Sequence, residues 1–297
     1  MNFRFISPFN KSLNLLKCYN KLICVKKLPM QTISRKPQRI KHYALGILRD
    51  YMPDISKQIS KKLASLLAIL FTDGCVSPKK KNSWRIYFSN SSEILIQLFR
   101  DCMVNVFGLN KERIRIGIIT DGFYRAVINS KEIGEYLVSR FGTFRTLRYK
   151  DGKLPDTKLP IDQLIVSNVV DEFLKVAFSC DGGLCFYPAH REGARGGTKW
   201  MIRTVFLACR HAKLRGDYMS LLRFLGIRAR NVPKDGKIKI EDENNIRKFW
   251  ELVEFVEGVK VTKHSKFWRD YEKQDLLSLM VASYENPSRI YNLSKFN

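Results

Sequence analysis

Two aspartates, each followed by a glycine, end apolar segments that lie far apart in the chain. Asp73 ends L-L-A-I-L-F-T-D-G at residues 66–74, and Asp181 ends L-K-V-A-F-S-C-D-G at residues 174–182, so the two are 181 − 73 = 108 residues apart. One such aspartate could be an ordinary turn residue, although a carboxylate is unfavourable at the negative end of a helix dipole. Its occurrence in both segments indicates that something cationic compensates there.

Paired carboxylates predict a metal site. Two carboxylates that lie close together repel one another unless divalent cations lie between them. Hard oxygen ligands with open water positions suit Mg²⁺, and two such sites can activate a water and stabilise the leaving 3′ oxygen of a phosphodiester. We therefore predict a Mg²⁺ site at Asp73 and Asp181, with Gly74 and Gly182 as the adjoining metal-site residues.

The segments that precede the aspartates predict two helices that bring them together. Residues 63–71 are apolar on every side of a helix, which indicates burial all round. Small residues at Ala64 and Ala68 in one segment, and at Ala177 and Cys180 in the other, would let two such helices approach closely. Packing about a pseudo-two-fold axis would place both helix ends, and hence both carboxylates, at one edge.

The same order of elements follows both segments. Each half continues with a polar loop (76–82 and 190–198), a strand (84–90 and 200–209), a helical run, a hairpin around Asp-Gly (121–122 and 235–236) and a further helix (130–141 and 243–256). The pattern αββαββα therefore occurs twice, which predicts an α+β fold with two pseudo-symmetric halves. We divide the chain into a basic N-terminal extension (1–58), a first half (59–144), a linker (145–166), a second half (167–270) and a C-terminal helix or tail (271–297).

Alternation along the hairpins separates an apolar face from a basic one. Ile114, Ile116 and Ile118 share one side of their strand, whereas Arg113 and Arg115 point to the other. For a single strand this could be an ordinary solvated face, but the bias recurs in four strands. A twisted ribbon with such a face fits the major groove of DNA. The predicted DNA-binding residues are Arg85, Arg113, Arg115, Arg125, Lys199, Arg203, Arg228, Arg230, Lys237 and Lys239.

The charge of the chain favours a polyanionic partner. Its 297 residues include 53 Lys and Arg against 28 Asp and Glu, a net charge of +25. Each cation placed on a phosphate releases condensed counterions, so nucleic acid is favoured first and an anionic membrane surface second. The cysteines form no CxxC pair, which favours reduced thiols. We expect an intracellular protein, in a prokaryotic cytoplasm or an organelle, that is not secreted.

The first 40 residues contain nine Lys and Arg and no acidic residue. This composition is typical of an organelle transit peptide. It also fits a basic arm that contacts phosphates, or an upstream extension of the reading frame with Met30 as the working start.

The two apolar segments resemble the signature of the LAGLIDADG homing endonucleases, in the single-chain form that carries two copies. Leu66 to Gly74 and Leu174 to Gly182 align with it without gaps, and the similarity in element order covers residues 60 to 270. Phe71 and Ser179 replace the non-catalytic first aspartate of the signature. The resemblance implies a monomer with a saddle of two four-stranded antiparallel sheets on a long DNA site. It also implies double-strand cleavage with one metal-holding aspartate per motif, by a protein encoded within an intron.

The resemblance implies further site residues. The polar residue at the end of the second strand would be Asn90 in the first half and Cys209 or Arg210 in the second. The basic residue after the third helix would be Arg145 in the first half and Lys260 or Lys263 in the second. The alternative function is an RNA maturase of the same fold that acts on group I intron RNA, with or without cleavage. A third is a non-catalytic DNA-binding regulator, but the segment after residue 270 is too short for a helix-turn-helix module. The presence of both aspartates favours retained cleavage.

Overall fold

The computed structural model describes residues 58–79, 83–120, 122–191, 198–263 and 265–285, except the side chains of residues 190, 191, 198 and 199. The helices are α1 (Lys61–Phe71), α2 (Glu93–Phe107), α3 (Lys131–Phe141), α4 (Ile161–Val166), α5 (Val170–Asp181), α6 (Ala212–Phe224), α7 (Glu243–Leu252) and α8 (Lys273–Glu285). The strands are β1 (Gly74–Lys79), β2 (Ser83–Asn90), β3 (Arg115–Thr120), β4 (Phe123–Asn129), β5 (Gly182–Arg191), β6 (Thr198–Ala208), β7 (Arg230–Val232) and β8 (Lys237–Ile240). Over these ranges, no helix is long and apolar enough to cross a lipid bilayer. The predictions for residues 1–40 fall outside the described residues.

Serine side chains begin the helices of the first half. Ser60, Ser92 and Ser130 precede α1, α2 and α3, and each hydroxyl oxygen accepts a hydrogen bond from the backbone N–H three residues further on. Each bond satisfies one of the donors that a first helical turn leaves without a partner. Gly108 ends α2 in the left-handed conformation, with a φ of 62°, which glycine adopts without a steric penalty.

Each half contains one four-stranded antiparallel sheet. The strand orders are β1-β2-β4-β3 and β5-β6-β8-β7, so the two sheets have the same topology. The edge strands β1 and β5 begin directly after the aspartates, where Gly74 pairs with Phe88 and Gly182 pairs with Leu207. The prediction of an α+β fold with two pseudo-symmetric αββαββα halves is confirmed. Helix α4 lies between the halves along the chain, and α8 follows the second half.

Helices α1 and α5 pack against each other within the hydrophobic core. Every residue from Leu63 to Phe71 is buried, as the apolar pattern predicts. Ala68 and Ala177 are fully buried, and their small side chains leave room for close packing. Ser65 donates a hydrogen bond to Glu172 of α5, which satisfies polar groups between the two helices.

Close approach of the chain explains the glycine after each aspartate. Neither Gly74 nor Gly182 has a positive φ, so a left-handed helix end is not the reason. A Cβ atom on Gly74 would lie 2.6 Å from the Cα of Leu70, and one on Gly182 would lie 2.4 Å from the carbonyl oxygen of Phe178. Each strand therefore turns back directly against the preceding helix, which holds each aspartate at the junction of a helix and a strand.

The predicted polar loops at 76–82 and 190–198 are wrong in their first residues. Strand β1 continues to Lys79 and β5 continues to Arg191. Both are edge strands, where Pro78 and Pro188 are tolerated because one side of the strand needs no backbone donor. The polar residues that indicated loops are those of a sheet edge.

The predicted apolar face of β3 is wrong at its end. Ile114 is buried, but Ile118 is 73% exposed. Ile118 still pairs in register with Tyr124, on the same side of the sheet as Ile116, so its alternation is kept but this end of the edge strand is not covered by the core. Arg113 lies in a 3-10 turn before β3 rather than in the strand. The predicted helix 243–256 ends at Leu252.

Candidate metal and nucleic-acid site

Asp73 and Asp181 meet at the ends of α1 and α5, with their carboxyl groups within hydrogen-bond distance of each other. Burial raises the pKa of Asp181 well above its ordinary value of 3.8, and the nearby Asp73 raises it further. Burial also raises the pKa of Asp73, against the hydrogen bonds that it makes with Asp181 and Asn90. Ionisation of both carboxyl groups is therefore costly unless a cation neutralises them.

A buried lysine that the sequence analysis did not identify lies beside the pair. Lys273, the first residue of α8, is 6% exposed, and its Nζ donates to the carbonyl oxygens of Ser179 and Gly182, both at 2.8 Å. Burial lowers its pKa from 10.5 to about 8, whereas the charges of Asp181 and Asp73 act in the opposite direction. Lysine is electrostatically unfavourable in a first helical turn. Lys61 and Lys131 also begin helices without being buried, however, so this mismatch does not distinguish Lys273 in the sequence.

The two halves differ in the residue at the end of the second strand. Asn90 and Cys209 occupy equivalent positions. Gly74 pairs with Phe88 and Gly182 pairs with Leu207, and Asn90 and Cys209 each lie two residues after these partners. Asn90 Nδ2 donates to Asp73 Oδ2 at 2.8 Å, and its Oδ1 accepts from the Ser92 N–H, which orients the amide. The Cys209 thiol instead donates to the His211 carbonyl at 3.6 Å, and burial raises its pKa to about 11. The second half thus has a neutral thiol where the first has an amide.

The aspartates form a two-carboxylate donor set. In the part of the chain that the structure describes, no cluster of three or more His, Cys, Asp or Glu residues is arranged to bind a metal ion. Burial raises the pKa of the adjacent Cys180 well above 9.0, so its thiol stays neutral. Any further ligands would be carbonyl, water or phosphate oxygens. Mg²⁺ is usually bound in this way, through one or two carboxylates with several retained waters.

The basic residues that the resemblance implies have other surroundings. Arg145 donates to carbonyl groups of the linker. Lys260 is exposed, and its backbone bridges to that of the residue before Lys273. Lys263 reaches the β3–β4 turn, where its Nζ is 3.2 Å from the position of a Cβ on Gly122. Lys273 is the described basic residue whose charge acts on both aspartates. The catalytic roles of Arg145, Lys260 and Lys263 stay predictions.

Arginines cover the side of the first sheet that faces away from its helices. Arg85 and Arg125 lie 5.4 and 4.9 Å from the centre of the Tyr87 ring, and Arg125 Nε donates to Ser89 at 2.8 Å. Arg115 is exposed on the edge strand β3, in register with the same strand β4 that carries Arg125. We call these residues, Arg85, Tyr87, Ser89, Arg115 and Arg125, the first open face.

The equivalent side of the second sheet is also basic. Val205, Leu207, Ile238 and Ile240 are buried on the helix side, so the residues that alternate with them form the second open face, namely Phe206, Arg230, Lys237 and Lys239. The Nζ of Lys237 lies 4.6 Å from the centre of the Phe206 ring.

The prediction that Arg203 belongs to the DNA-binding face is wrong. Arg203 has the same parity in β6 as the buried Val205, so it points to the helix side. There its guanidinium donates to the Oγ and carbonyl oxygen of Ser283 in α8 and lies 4.6 Å from the centre of the Tyr284 ring. Alternation alone did not show that α8 supplies polar partners on this side. The side chain of Lys199 lies outside the described residues.

Comparisons with known proteins give structural neighbours only. No family model and no curated protein matches the chain. A mesophilic variant of the homing endonuclease I-DmoI is 16% identical over 66% of this chain and 96% of its own, with a TM-score of 0.41. The LAGLIDADG meganuclease I-AabMI, bound to uncleaved DNA, is 11% identical over 78% and 98%, with a TM-score of 0.45. The meganuclease I-SmaMI, bound to uncleavable DNA, is 11% identical over 78% and 92%, with a TM-score of 0.46.

Proposed function

We propose that this protein is a DNA endonuclease of the LAGLIDADG type, which makes a metal-dependent double-strand break in a long recognition site and acts as an intron-encoded monomer. The observation that carries the proposal is the meeting of Asp73 and Asp181 at the ends of two packed helices, each beside the first strand of a sheet with a basic open face. A purely structural helix end has no use for two adjacent buried carboxyl groups, because each makes ionisation of the other costly.

Mg²⁺ fits the donor set at this position. Asp73 and Asp181 would hold it, and the chain turns beside them at Gly74 and Gly182. When bound, the cation would stabilise charge on a phosphate oxygen and lower the pKa of a bound water. Because burial raises the pKa of both aspartates, protons would compete with the cation for their carboxyl groups, so affinity for the cation should fall as pH falls.

The protein's own residues would prepare the reaction. The Asn90 amide fixes one carboxylate oxygen of Asp73, and the Lys273 ammonium offsets the negative charge that accumulates at the helix ends. Basic side chains of the two open faces would bind phosphates on either side of the cleavage position. In the reaction itself a water oxygen adds to phosphorus as the bond to the 3′ oxygen breaks, and that oxygen leaves as a hydroxyl group.

The proposal can be tested on plasmids that carry the two DNA segments flanking this protein's gene, joined directly to each other with the gene left out. The measurement is the cleavage of these plasmids. We expect linear product with Mg²⁺, none with EDTA, and at least a hundredfold slower cleavage for Asp73→Asn and for Asp181→Asn, roughly the factor lost with one electrostatic group in other active sites. Asp162→Asn, at an exposed aspartate in α4, is the matched control and should cut normally. Cleavage that persists in both site variants would overturn the shared-site mechanism. If no DNA is cut but splicing of a group I intron accelerates, the RNA maturase function replaces the nuclease.

A further inference from the structure

The two open faces differ in how far their cations are already neutralised by the protein itself. On the second, Arg230 forms two hydrogen bonds with Glu241, at 2.8 and 2.9 Å. Lys239 lies 3.6 Å from Asp235. Arg228, just before β7, lies 3.8 Å from Asp242. Lys237 is the exception, since it contacts the ring of Phe206 instead.

The first open face has no such acidic partners. Among the described residues, none of the arginines predicted to bind DNA in the first half forms an ion pair with an Asp or Glu, and these arginines are Arg85, Arg113, Arg115 and Arg125. Arg85 and Arg125 are held instead by the ring of Tyr87, and Arg125 also by Ser89. These contacts orient the guanidinium groups and leave their charge uncompensated.

This difference matters for binding to a polyanion. A cation that is free before binding releases condensed counterions from DNA when it contacts a phosphate, and this release supplies most of the sequence-independent affinity. A cation with a carboxylate partner can reach a phosphate only by leaving that partner, and the carboxylate then remains nearby and repels the phosphate. An exposed ion pair is worth only about 0 to 1 kcal/mol, so the main loss is of net charge rather than of pairing energy.

Building on the proposed function, we propose that the first open face is the principal phosphate-binding surface for duplex DNA and that the second is largely self-neutralised by Glu241, Asp235 and Asp242. Among the described side chains, the two halves are therefore alike in fold but unequal in the cations that have no carboxylate partner. The first half would supply most of the salt-dependent affinity, and the second would contribute mainly through shape and base contacts.

Arg115 and Arg230 are a matched pair for a test, since both are exposed arginines on the edge strand of their sheet, and only Arg230 has a carboxylate partner. Binding of the full chain to a mixed-sequence DNA duplex is measured by fluorescence anisotropy across a salt series. Arg115→Gln should reduce the slope of log affinity against log salt by about 0.9 and weaken binding about eightfold at 0.1 M salt. The double variant Arg230→Gln with Glu241→Gln should leave the slope unchanged, and Glu241→Gln alone should increase it.

Two controls separate local from general effects. Lys61→Gln removes one charge from an exposed position at the start of α1 and should change the slope by much less than Arg115→Gln. Arg115→Lys keeps the charge and should keep the slope, which excludes misfolding as the cause.

The possible results separate the two proposals. An equal loss of slope in Arg115→Gln and in the double variant would overturn the inference while leaving DNA binding intact. Absence of duplex binding by the unmodified protein would instead overturn the proposed function. Tighter binding to an RNA duplex, lost in Arg115→Gln, would replace DNA with RNA as the partner.

Discussion

Replacing Lys273 with methionine should change how the stability of the protein depends on pH. The pKa of Lys273 is about 8 in the folded protein, against an ordinary value of 10.5. Between these values the unfolded chain binds more protons than the folded one, so the free energy of unfolding rises with pH. The rise is about 3 kcal/mol, from a difference of about 2.5 pKa units at 1.36 kcal/mol per unit. It is absent below pH 8 or so and complete above the unfolded pKa. Methionine has no titrating group, so the variant lacks this rise in the free energy of unfolding.

Urea unfolding at a series of pH values between about 7 and 10 measures this effect. Subtracting the free energy of unfolding of Lys273→Met from that of the unmodified protein isolates the lysine, because the other titrating groups are common to both. Lys61→Met, at an exposed lysine, is the matched control, and its difference should change with pH much less than that of Lys273→Met. A flat difference for Lys273→Met would refute the conclusion that its ammonium is buried beside the aspartates.

Other variants probe the same region. Gly182→Ala should destabilise the protein by roughly 2 to 4 kcal/mol in thermal melts, because the added Cβ would overlap the Phe178 carbonyl. Gly216→Ala, at a helical glycine with open space around it, is the control and should be neutral or stabilising. Asp181→Asn should raise the melting temperature of the metal-free protein at pH 7 because it removes a buried carboxyl whose pKa is raised, and a lower melting temperature would contradict that reading. Cys209→Asn supplies in the second half the amide that Asn90 provides in the first, so it should speed cleavage of one DNA strand relative to the other by roughly tenfold in strand-specific assays. Unchanged strand rates would show that this position has no role.

The repeated segments contain most of what the sequence predicts correctly. A helix that is apolar on all sides must be buried, and two such helices that end in Asp-Gly have a natural reason to pack together. The sequence therefore predicts the pairing of α1 with α5, the convergence of Asp73 with Asp181, and the order of elements in each half. Asn90 also follows, because the end of β2 is set by a clear alternation of residues.

Features that depend on distant contacts are not predictable in this way. Lys273 lies 273 − 181 = 92 residues beyond Asp181 along the chain, and only the packing of α8 brings its Nζ to the end of α5. The alternation in β6 correctly separates two faces, yet Arg203 has polar partners on the helix side because α8 covers it. Pairing of Arg230 with Glu241 requires the geometry of the β7–β8 hairpin, which charge patterns alone do not provide.

Titration of the full chain with Mn²⁺, with free Mn²⁺ followed by electron paramagnetic resonance, tests most directly whether Asp73 and Asp181 together hold a divalent cation. We predict that the unmodified protein and the control Asp162→Asn bind the ion equally. Asp73→Asn and Asp181→Asn should each weaken binding at least tenfold, with binding by the unmodified protein also weakening as pH falls. Equal Mn²⁺ affinity in all four proteins would contradict a metal site at the paired aspartates.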